Sequence, residues 1–360
     1  MATVGPKQGG LWLARKNATA GLLSALLPAP LLAPLPLDRP LTVGFLRFDR
    51  RVGEVLLQTP IFAAYKTARP NDRVVAIVHP KMVRVLANQP GIDAVVAFAW
   101  RGFPVLPESW RVLQALRGLA LDVVVDCSDP TIFSVGHMLA ARLTRARWRV
   151  GFNRGAAAAH HGQLVDVATP VHEATARARL LMPFGITAGP QLRFVPHPKS
   201  PVLLDGQDVV ELLRAQPEGH VVVCPGGRLG WRRAGAEHFG VLCRALQRHG
   251  RTVWLAPGPG EEELVAQVAQ HAPGARVLPQ TDLDQLAAVM AAAGRVVCNN
   301  SGTMHLSVAA GARTLGLFVA MDPGRWGHGG AGHRMVVLDP GAPDATQHLE
   351  AELDAWLAAA

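Results

Sequence analysis

Cysteine is scarce in this chain: four in 360 residues, Cys127, Cys224, Cys243 and Cys298, widely spaced and with no CxxC pair. That spacing excludes the disulfide framework of a small secreted domain and any cysteine-built zinc site. The four read as small core residues of a reduced, cytosolic protein, three in or beside strands and Cys243 in a helix. The 14 histidines form no HExxH or other ligand spacing, and His160-His161 sits in an Ala/Gly-rich loop, so no metal is expected. No GxGxxG follows a first strand, which removes the main signature of a dinucleotide-dependent dehydrogenase, and the lack of GxxxxGK[ST] argues against a P-loop NTPase. No apolar run reaches the roughly 18 residues that a spanning helix needs. Acidic residues are outnumbered, 27 Asp+Glu against 36 Lys+Arg, for a formal charge of +9. Such a balance suits nucleic acid, an acidic membrane surface or phosphorylated substrates without selecting among them. A high-GC coding bias, visible in the Ala, Arg and Gly richness, accounts for it equally well.

What is present is a globular chain, 49 % hydrophobic and 18 % charged, long enough for two domains with separate cores. Residues 11–16 and 21–27 read as a basic amphipathic helix, and the Pro-rich piece 28–40 reads as a linker. The linker runs straight into a core strand with no clean small-residue cleavage site before it, which disfavours a signal peptide. This N-terminal segment either docks on the protein's own surface or makes peripheral membrane contact. From residue 41 the pattern alternates strand and helix. Strands are expected over 41–48, 73–78, 94–98, 122–126 and 149–152, with helices over 55–68 (interrupted early by Pro60), 81–88, 107–119, 131–143 and 171–184. The stretch 185–201 is Pro/Gly-rich and lacks periodicity, so the domain boundary is placed there. The second half repeats the theme, with strands over 220–224, 252–256, 275–278, 295–298, 314–318 and 334–338. Its helices are expected over 236–247, 261–271, 283–293, 304–310 and 345–357.

The fold class is therefore α/β, two doubly wound domains facing a cleft with parallel sheets and loops at the C-terminal strand ends. The expected division is 1–40 extension, 41–190 first domain, 191–205 linker, 206–345 second domain and 346–360 terminal helix.

Three loops can carry chemistry. After the first strand comes Arg47-Phe48-Asp49-Arg50-Arg51-Val52-Gly53-Glu54-Val55, where Glu54 is either a general base or a helix N-terminal acid complementing the dipole. After the strand at 220–224 comes Cys224-Pro225-Gly226-Gly227-Arg228-Leu229-Gly230-Trp231-Arg232-Arg233. Its glycines let a ligand approach the backbone and its three arginines supply fixed charge, either for a diphosphate or as a solvated basic loop. The third is Val296-Val297-Cys298-Asn299-Asn300-Ser301-Gly302-Thr303-Met304-His305-Leu306, a strand feeding a helix N-terminus. It is either an anion site or an ordinary turn capped by Ser301 or Thr303, and His305 either donates to a phosphate or packs. Between the last two, Glu261 in Pro257-Gly258-Pro259-Gly260-Glu261 either accepts both hydroxyls of a ribose or begins a helix.

These segments, in this order, resemble the ADP-heptose:lipopolysaccharide heptosyltransferases, glycosyltransferase family 9 with the GT-B fold. The resemblance runs from about residue 41 to the last helix. Gly53-Glu54-Val55 through Pro60 is similar to the family's Gly-Asp-Val segment, and Asp122-Val123-Val124-Val125-Asp126 with Arg149-Val150-Gly151-Phe152 to its strand and Arg-x-Gly-Phe. His172-Glu173 through Leu180-Leu181 to Gly185-Ile186 resembles the helix before its interdomain linker. Pro225-Gly226-Gly227 through Arg232-Arg233 to Glu237-His238-Phe239, and Asn299-Asn300-Ser301-Gly302-Thr303-Met304-His305, resemble its Pro-Gly-Ala…Lys-Arg-Trp-Pro…Glu-x-Phe region and its Asn-Asp-(Ser/Thr)-Gly-x-x-His motif.

The resemblance implies an inverting transfer of heptose from an ADP-sugar to a glycolipid acceptor, without cofactor, metal or nucleic acid. It implies a cytoplasmic protein, peripheral at the inner face of the inner membrane. It makes Glu54 the catalytic base. Gly226, Gly227, Arg232, Glu261, Thr281, Asn300, Ser301, Gly302, Thr303 and His305 become donor-binding residues, with Arg232 on phosphate, Glu261 on ribose and Thr281 near adenine. Five positions depart from the pattern: Glu for Asp at 54, Arg for Lys at 232, Asn for Asp at 300, and Ala234-Gly235 for Trp-Pro. A different acceptor or donor sugar, or a nucleotide-sugar-binding protein without catalysis, fits the same departures.

Overall fold

The computed structural model describes residues 29–99, 107–168, 171–330 and 332–359. The expected amphipathic helix within 11–27 lies outside them. The chain forms two compact units: the first runs through Arg50 and resumes over Gln58–Pro190, and the second combines Arg51–Leu57 with Gln191–Ala360.

In the first unit six strands, β1 (Thr42–Arg47), β2 (Arg73–Val78), β3 (Ala94–Ala97), β4 (Val123–Asp126), β5 (Trp148–Phe152) and β6 (Gln163–Val165), pair in parallel in the order β3-β2-β1-β4-β5-β6. β4 is buried along its whole length and β1 and β2 at all but their first residue, as expected for strands covered on both faces. The first helix among the described residues, α1 (Val52–Leu56), belongs to the second unit; those of the first are α2 (Thr59–Ala68), α3 (Val83–Leu86), α4 (Pro107–Gly118), α5 (Val135–Leu143) and α6 (Glu173–Ala178).

Several elements differ from the sequence reading, each for a local reason. The single helix expected over 55–68 is two, because the Leu57 amide closes α1 on the Gly53 carbonyl and Pro60 sits in the first turn of α2, where its missing N–H is harmless. The helix expected from 131 starts at Val135, since Asp129 accepts from the Thr131 and Ile132 amides and Ser134 supplies the cap. The expected helix over 81–88 shrinks to a 3-10 turn, Pro80–Met82, and the four residues of α3. The one over 171–184 becomes α6 and a 3-10 stretch, Arg179–Phe184, which contains Pro183 and ends at Gly185 with φ 71°. β6 was not anticipated; three residues with Gln at their head carry too little pattern. Nor is the piece before β1 a free linker. Arg69 donates to the Leu37 and Arg39 carbonyls, Trp148 Nε1 to Pro34 and Gln163 Nε2 to Ala33, while Arg39 pairs with Asp122 at 2.7 Å. Gly162 makes room for it: a Cβ there would stand 1.8 Å from the Leu31 carbonyl oxygen.

The second unit opens with a two-stranded hairpin, β7 (Leu203–Leu204) and β8 (Gln207–Asp208), around Asp205-Gly206, both with positive φ as a tight turn demands. Helix α7 (Val209–Ala215), capped by Asp208, follows; neither was anticipated. The strands β9 (His220–Cys224), β10 (Thr252–Leu255), β11 (Arg276–Val277), β12 (Arg295–Asn299), β13 (Arg313–Val319) and β14 (Arg334–Leu338) pair in parallel in the order β11-β10-β9-β12-β13-β14, the same winding as the first sheet. Helices α8 (Ala236–Arg248), α9 (Glu262–His271), α10 (Leu283–Ala293), α11 (Gly302–Ala309) and α12 (Ala345–Ala358) complete it. Phe239, Leu242 and Leu246 of α8 pack with Val253, Val297, Leu315, Leu317 and Trp356 in one core. Each unit is thus a doubly wound α/β unit, and among the described residues no helix is long and apolar enough to cross a membrane.

Candidate active site

In the second sheet the direction of winding reverses between β9 and β12, so the loops leaving their C-terminal ends stand side by side where open α/β sheets bind ligands. Both strands are buried throughout, which fixes where those loops begin.

Glu261 ties two of the loops together. It is the residue preceding α9, yet its side chain does not cap that helix. Its Oε1 accepts from the Gly227 amide at 2.9 Å and its Oε2 from the Gly258 amide at 3.0 Å. Gly226 and Gly258 are glycines for space: a Cβ would lie 1.8 Å and 2.5 Å from Glu261 Oε2. Each carboxylate oxygen keeps a further acceptor site, so this brace adds to the expected ribose contact and does not exclude it.

Asn299, at the last position of β12 and 1 % exposed, makes the second tie. Its Oδ1 accepts from the Ala234 amide at 2.9 Å and its Nδ2 donates to the Pro225 carbonyl at 2.7 Å. The arginine loop is thereby pinned at both ends to β12. Asn299 was not among the expected site residues; its signal was a polar residue ending the apolar run Val296-Val297-Cys298. Within the loop the three arginines part ways. Arg228 is exposed, Arg232 in the 3-10 turn Gly230–Arg232 stacks on the Trp231 ring at 4.3 Å, and Arg233 donates to the Gly227 carbonyl at 3.4 Å.

At the head of α11 Ser301 occupies the N-cap position, but the side-chain cap, the alternative to an anion site, is not made. Its Oγ lies 2.6 Å from Thr303 Oγ1, so the hydroxyls satisfy each other and leave the first-turn amides of the helix to other partners. The Asn300 amide donates to Leu317, and its Nδ2 reaches Met321 Sδ at 3.7 Å. His305 is buried and its Nδ1 lies 2.8 Å from His328 Nε2. His328, in the glycine-rich segment Trp326-Gly327-His328-Gly329-Gly330, was not singled out in the sequence.

Glu54 arrives from elsewhere in the chain. Although α1 follows β1 of the first sheet, it belongs to the second unit and packs on α11. A Cβ on Gly302 would be 3.7 Å from the Gly53 nitrogen, and one on Gly53 only 2.4 Å from His305 Cδ2. Glu54 is 6 % exposed in the first turn of α1, and its Oε1 is 3.1 Å from Arg51 Nη2. Thr281 stands apart, half-buried in the loop after β11, next to the capping box that Asp282 and Gln285 form at the start of α10.

The two thiols here are buried. Burial, reinforced by the Glu261 charge, pushes Cys224 up to about 12, and burial raises Cys298 well above the usual thiol range. What remains is a carboxylate, a helix N-terminus and fixed guanidinium charge, the parts of a site that moves a proton and stabilises a leaving anion. In the first unit the ends of β1 and β4 hold a different assembly. Asp126, fully buried, lies 3.3 Å from His161 Nε2 and 4.0 Å from Arg154, and the Phe48 amide donates to His137 Nε2. His160 Nδ1 accepts from Arg142, so the His160-His161 pair is a buried brace.

Over residues 109–354 the sequence matches the family described as Glycosyltransferase family 9 (heptosyltransferase). That span contains every expected donor-binding residue and leaves Glu54 outside. The lipopolysaccharide heptosyltransferase 3 of Escherichia coli (strain K12) is 23 % identical over 295 residues, 76 % of this chain and 81 % of that protein. Among solved structures, E. coli heptosyltransferase WaaC with ADP aligns with a TM-score of 0.68 at 18 % identity, over 88 % of this chain and 99 % of its own. E. coli ADP-heptose LPS heptosyltransferase II gives 0.65 at 17 %, over 88 % and 98 %.

Proposed function

The chain belongs to glycosyltransferase family 9, the heptosyltransferases, and on that premise we propose that it transfers heptose from ADP-heptose to the inner core of lipopolysaccharide with inversion. In this reading the first unit binds the acceptor and the second the donor. The observation that carries it is the seating of the Gly53–Glu54 turn on the head of α11 within the donor unit. The base is thereby built into the same body as the residues proposed to hold the diphosphate.

Glu54 takes the proton of the acceptor hydroxyl as that oxygen forms its bond to the heptose C1. The C1–O bond to the β-phosphate breaks on the opposite face and ADP departs with the electron pair. Ser301, Gly302 and Thr303 at the helix N-terminus, with Arg232, bear the developing phosphate charge. The remaining acceptor capacity of Glu261 serves the ribose. A basic chain of formal charge +9 suits a cytoplasmic enzyme working peripherally on the anionic glycolipids of the inner membrane face.

The test is ADP release from ADP-heptose with a truncated core acceptor. Glu54→Ala should lower turnover by roughly 10²–10⁴-fold while ADP still binds. The Arg51 ion pair to Glu54 favours one competing reading, a nucleotide-sugar-binding protein whose carboxylate is no longer a base. ADP-heptose binding without turnover across an acceptor panel would establish that reading and sink the enzyme.

A further inference from the structure

His305 is gripped on both sides of its Cγ. One ring edge, Nδ1, is 2.8 Å from His328 Nε2; the other, Cδ2, lies where a Cβ on Gly53 would intrude at 2.4 Å. The two imidazoles are nearly perpendicular, 84° at 5.0 Å between centroids, and Trp326 lies tilted at 6.5 Å. Both histidines are buried, 5 % and 6 % exposed. The second torsion of a histidine is soft and roughly two-fold, and rotating it by half a turn exchanges Nδ1 with Cδ2. The His328 hydrogen bond selects one of these two states. It keeps the non-polar Cδ2 edge against the Gly53 backbone and the polar edge away from it.

Gly53 does not have a left-handed φ, so its lack of a side chain answers to this contact and not to backbone conformation. The neighbouring residue in α1 is Glu54. The loop that carries His328 leaves β13, the strand beside β12. It is held by the Gly327 amide on the Pro323 carbonyl at 2.6 Å and by Asp322, which accepts from the Gly324 amide at 2.9 Å.

We propose that His328 is a positioning residue for glycosyl transfer: by fixing the His305 ring it sets the seat of the Gly53–Glu54 backbone on α11. This role rests on the reading of Glu54 as the base. Displacing a base by an ångström costs up to about 10²-fold in rate. Loss of the hydrogen bond therefore acts on kcat and leaves donor binding alone.

The experiment measures steady-state ADP release from ADP-heptose with a truncated core acceptor for His328→Phe, His328→Gln, Gly53→Ala and the pair His328→Phe with Gly53→Ala. His328→Phe is expected to lower kcat roughly 10- to 100-fold with KM for ADP-heptose within about two-fold of wild type. His328→Gln, whose amide group reaches the place of imidazole Nε2, should recover most of the loss. Gly53→Ala should reproduce the His328→Phe pattern, and the double variant should fall short of the product of the two, because both act through one ring. An unchanged kcat in His328→Phe, a rise in KM alone, or a His328→Gln variant as impaired as His328→Phe would each overturn the role. If His328→Phe fails to fold, the His328→Gln and Gly53→Ala comparison decides. If the wild type releases no ADP, the functional reading fails on its own. Imidazole nitrogen NMR of the histidine-labelled protein then tests the clamp directly, and absence of a hydrogen bond between His305 Nδ1 and His328 Nε2 overturns it.

Discussion

The Glu261 carboxylate accepts the Gly227 amide at 2.9 Å, joining the loop after β10 to the loop after β9 across 34 residues of sequence. A carboxylate with an acceptor oxygen for each of two amides has no isosteric substitute. In Glu261→Gln one oxygen becomes an NH2 donor facing an N–H donor, so one part-buried amide loses its partner. The variant should lose about 1–3 kcal/mol of stability by urea unfolding and bind ADP at least about ten-fold more weakly by calorimetry. Unaltered ADP affinity would show that the loops are held in place by other contacts.

Gly226 tests the same knot through space. Its φ is not in the left-handed region, and the nearest obstacle to alanine is the Glu261 carboxylate, whose Oε2 would lie 1.8 Å from the new Cβ. Gly226→Ala should weaken ADP binding as severely as Glu261→Ala. In the Glu261→Ala background it should add almost nothing, since the atom it would strike has gone. Full additivity of the two losses would separate Gly226 from the carboxylate.

All four cysteines are buried and free. Burial raises the thiols of Cys127, Cys224 and Cys243 to about 12 and that of Cys298 well above its ordinary value. Thiolate is the reacting species, so a disulfide reagent at about pH 8 should modify none of them in the native protein, and all four once guanidinium unfolds it. Rapid reaction of even one native thiol contradicts the buried placement.

The two sheets were legible because β1, β2, β4, β9 and β12 are short apolar runs, and parallel strands buried on both faces leave that trace. Short elements without periodicity were not: β6, and the hairpin at Leu203–Asp208, whose Asp205-Gly206 turn signal was overlooked. Local side-chain bonds were equally hidden, as where Asp129 delays α5 or where Ser301 turns to Thr303 instead of capping α11. In the candidate site, Gly226, Gly227 and Glu261 were visible as residue types, but their mutual bonding was not. Asn299 and His328 escaped because their partners, Ala234 and His305, lie 65 and 23 residues away in sequence. The allegiance of α1 to the second unit had no sequence signal at all, since chain order places it after β1 of the first.

His137 makes the first unit sensitive to acid. Burial, with Arg47 and Arg154 adding to it and Asp126 and Asp49 opposing, lowers its ring to about 4 from an ordinary 6.5. A histidine depressed in the folded state remains neutral there while the unfolded chain takes up a proton. Stability is therefore unaffected above about pH 6.5 and falls as the pH drops from there towards about 4, by about 3 kcal/mol in all. Asp126 acts in the same direction at lower pH. Burial opposes its charge, but the neighbouring His161 imidazole and the Arg154 guanidinium outweigh that and hold the carboxyl well below the usual range. Stability from that carboxylate is present above its unfolded value of 3.8 and lost below it. His137→Gln keeps an acceptor in the place of Nε2 for the Phe48 amide and removes the titration. Urea midpoints measured from about pH 7 down to about pH 4.5 should decline less in the variant than in the wild type, the remaining decline coming from groups such as His220 and His333, whose rings burial also lowers. Parallel declines in the two proteins would assign the acid sensitivity to another group.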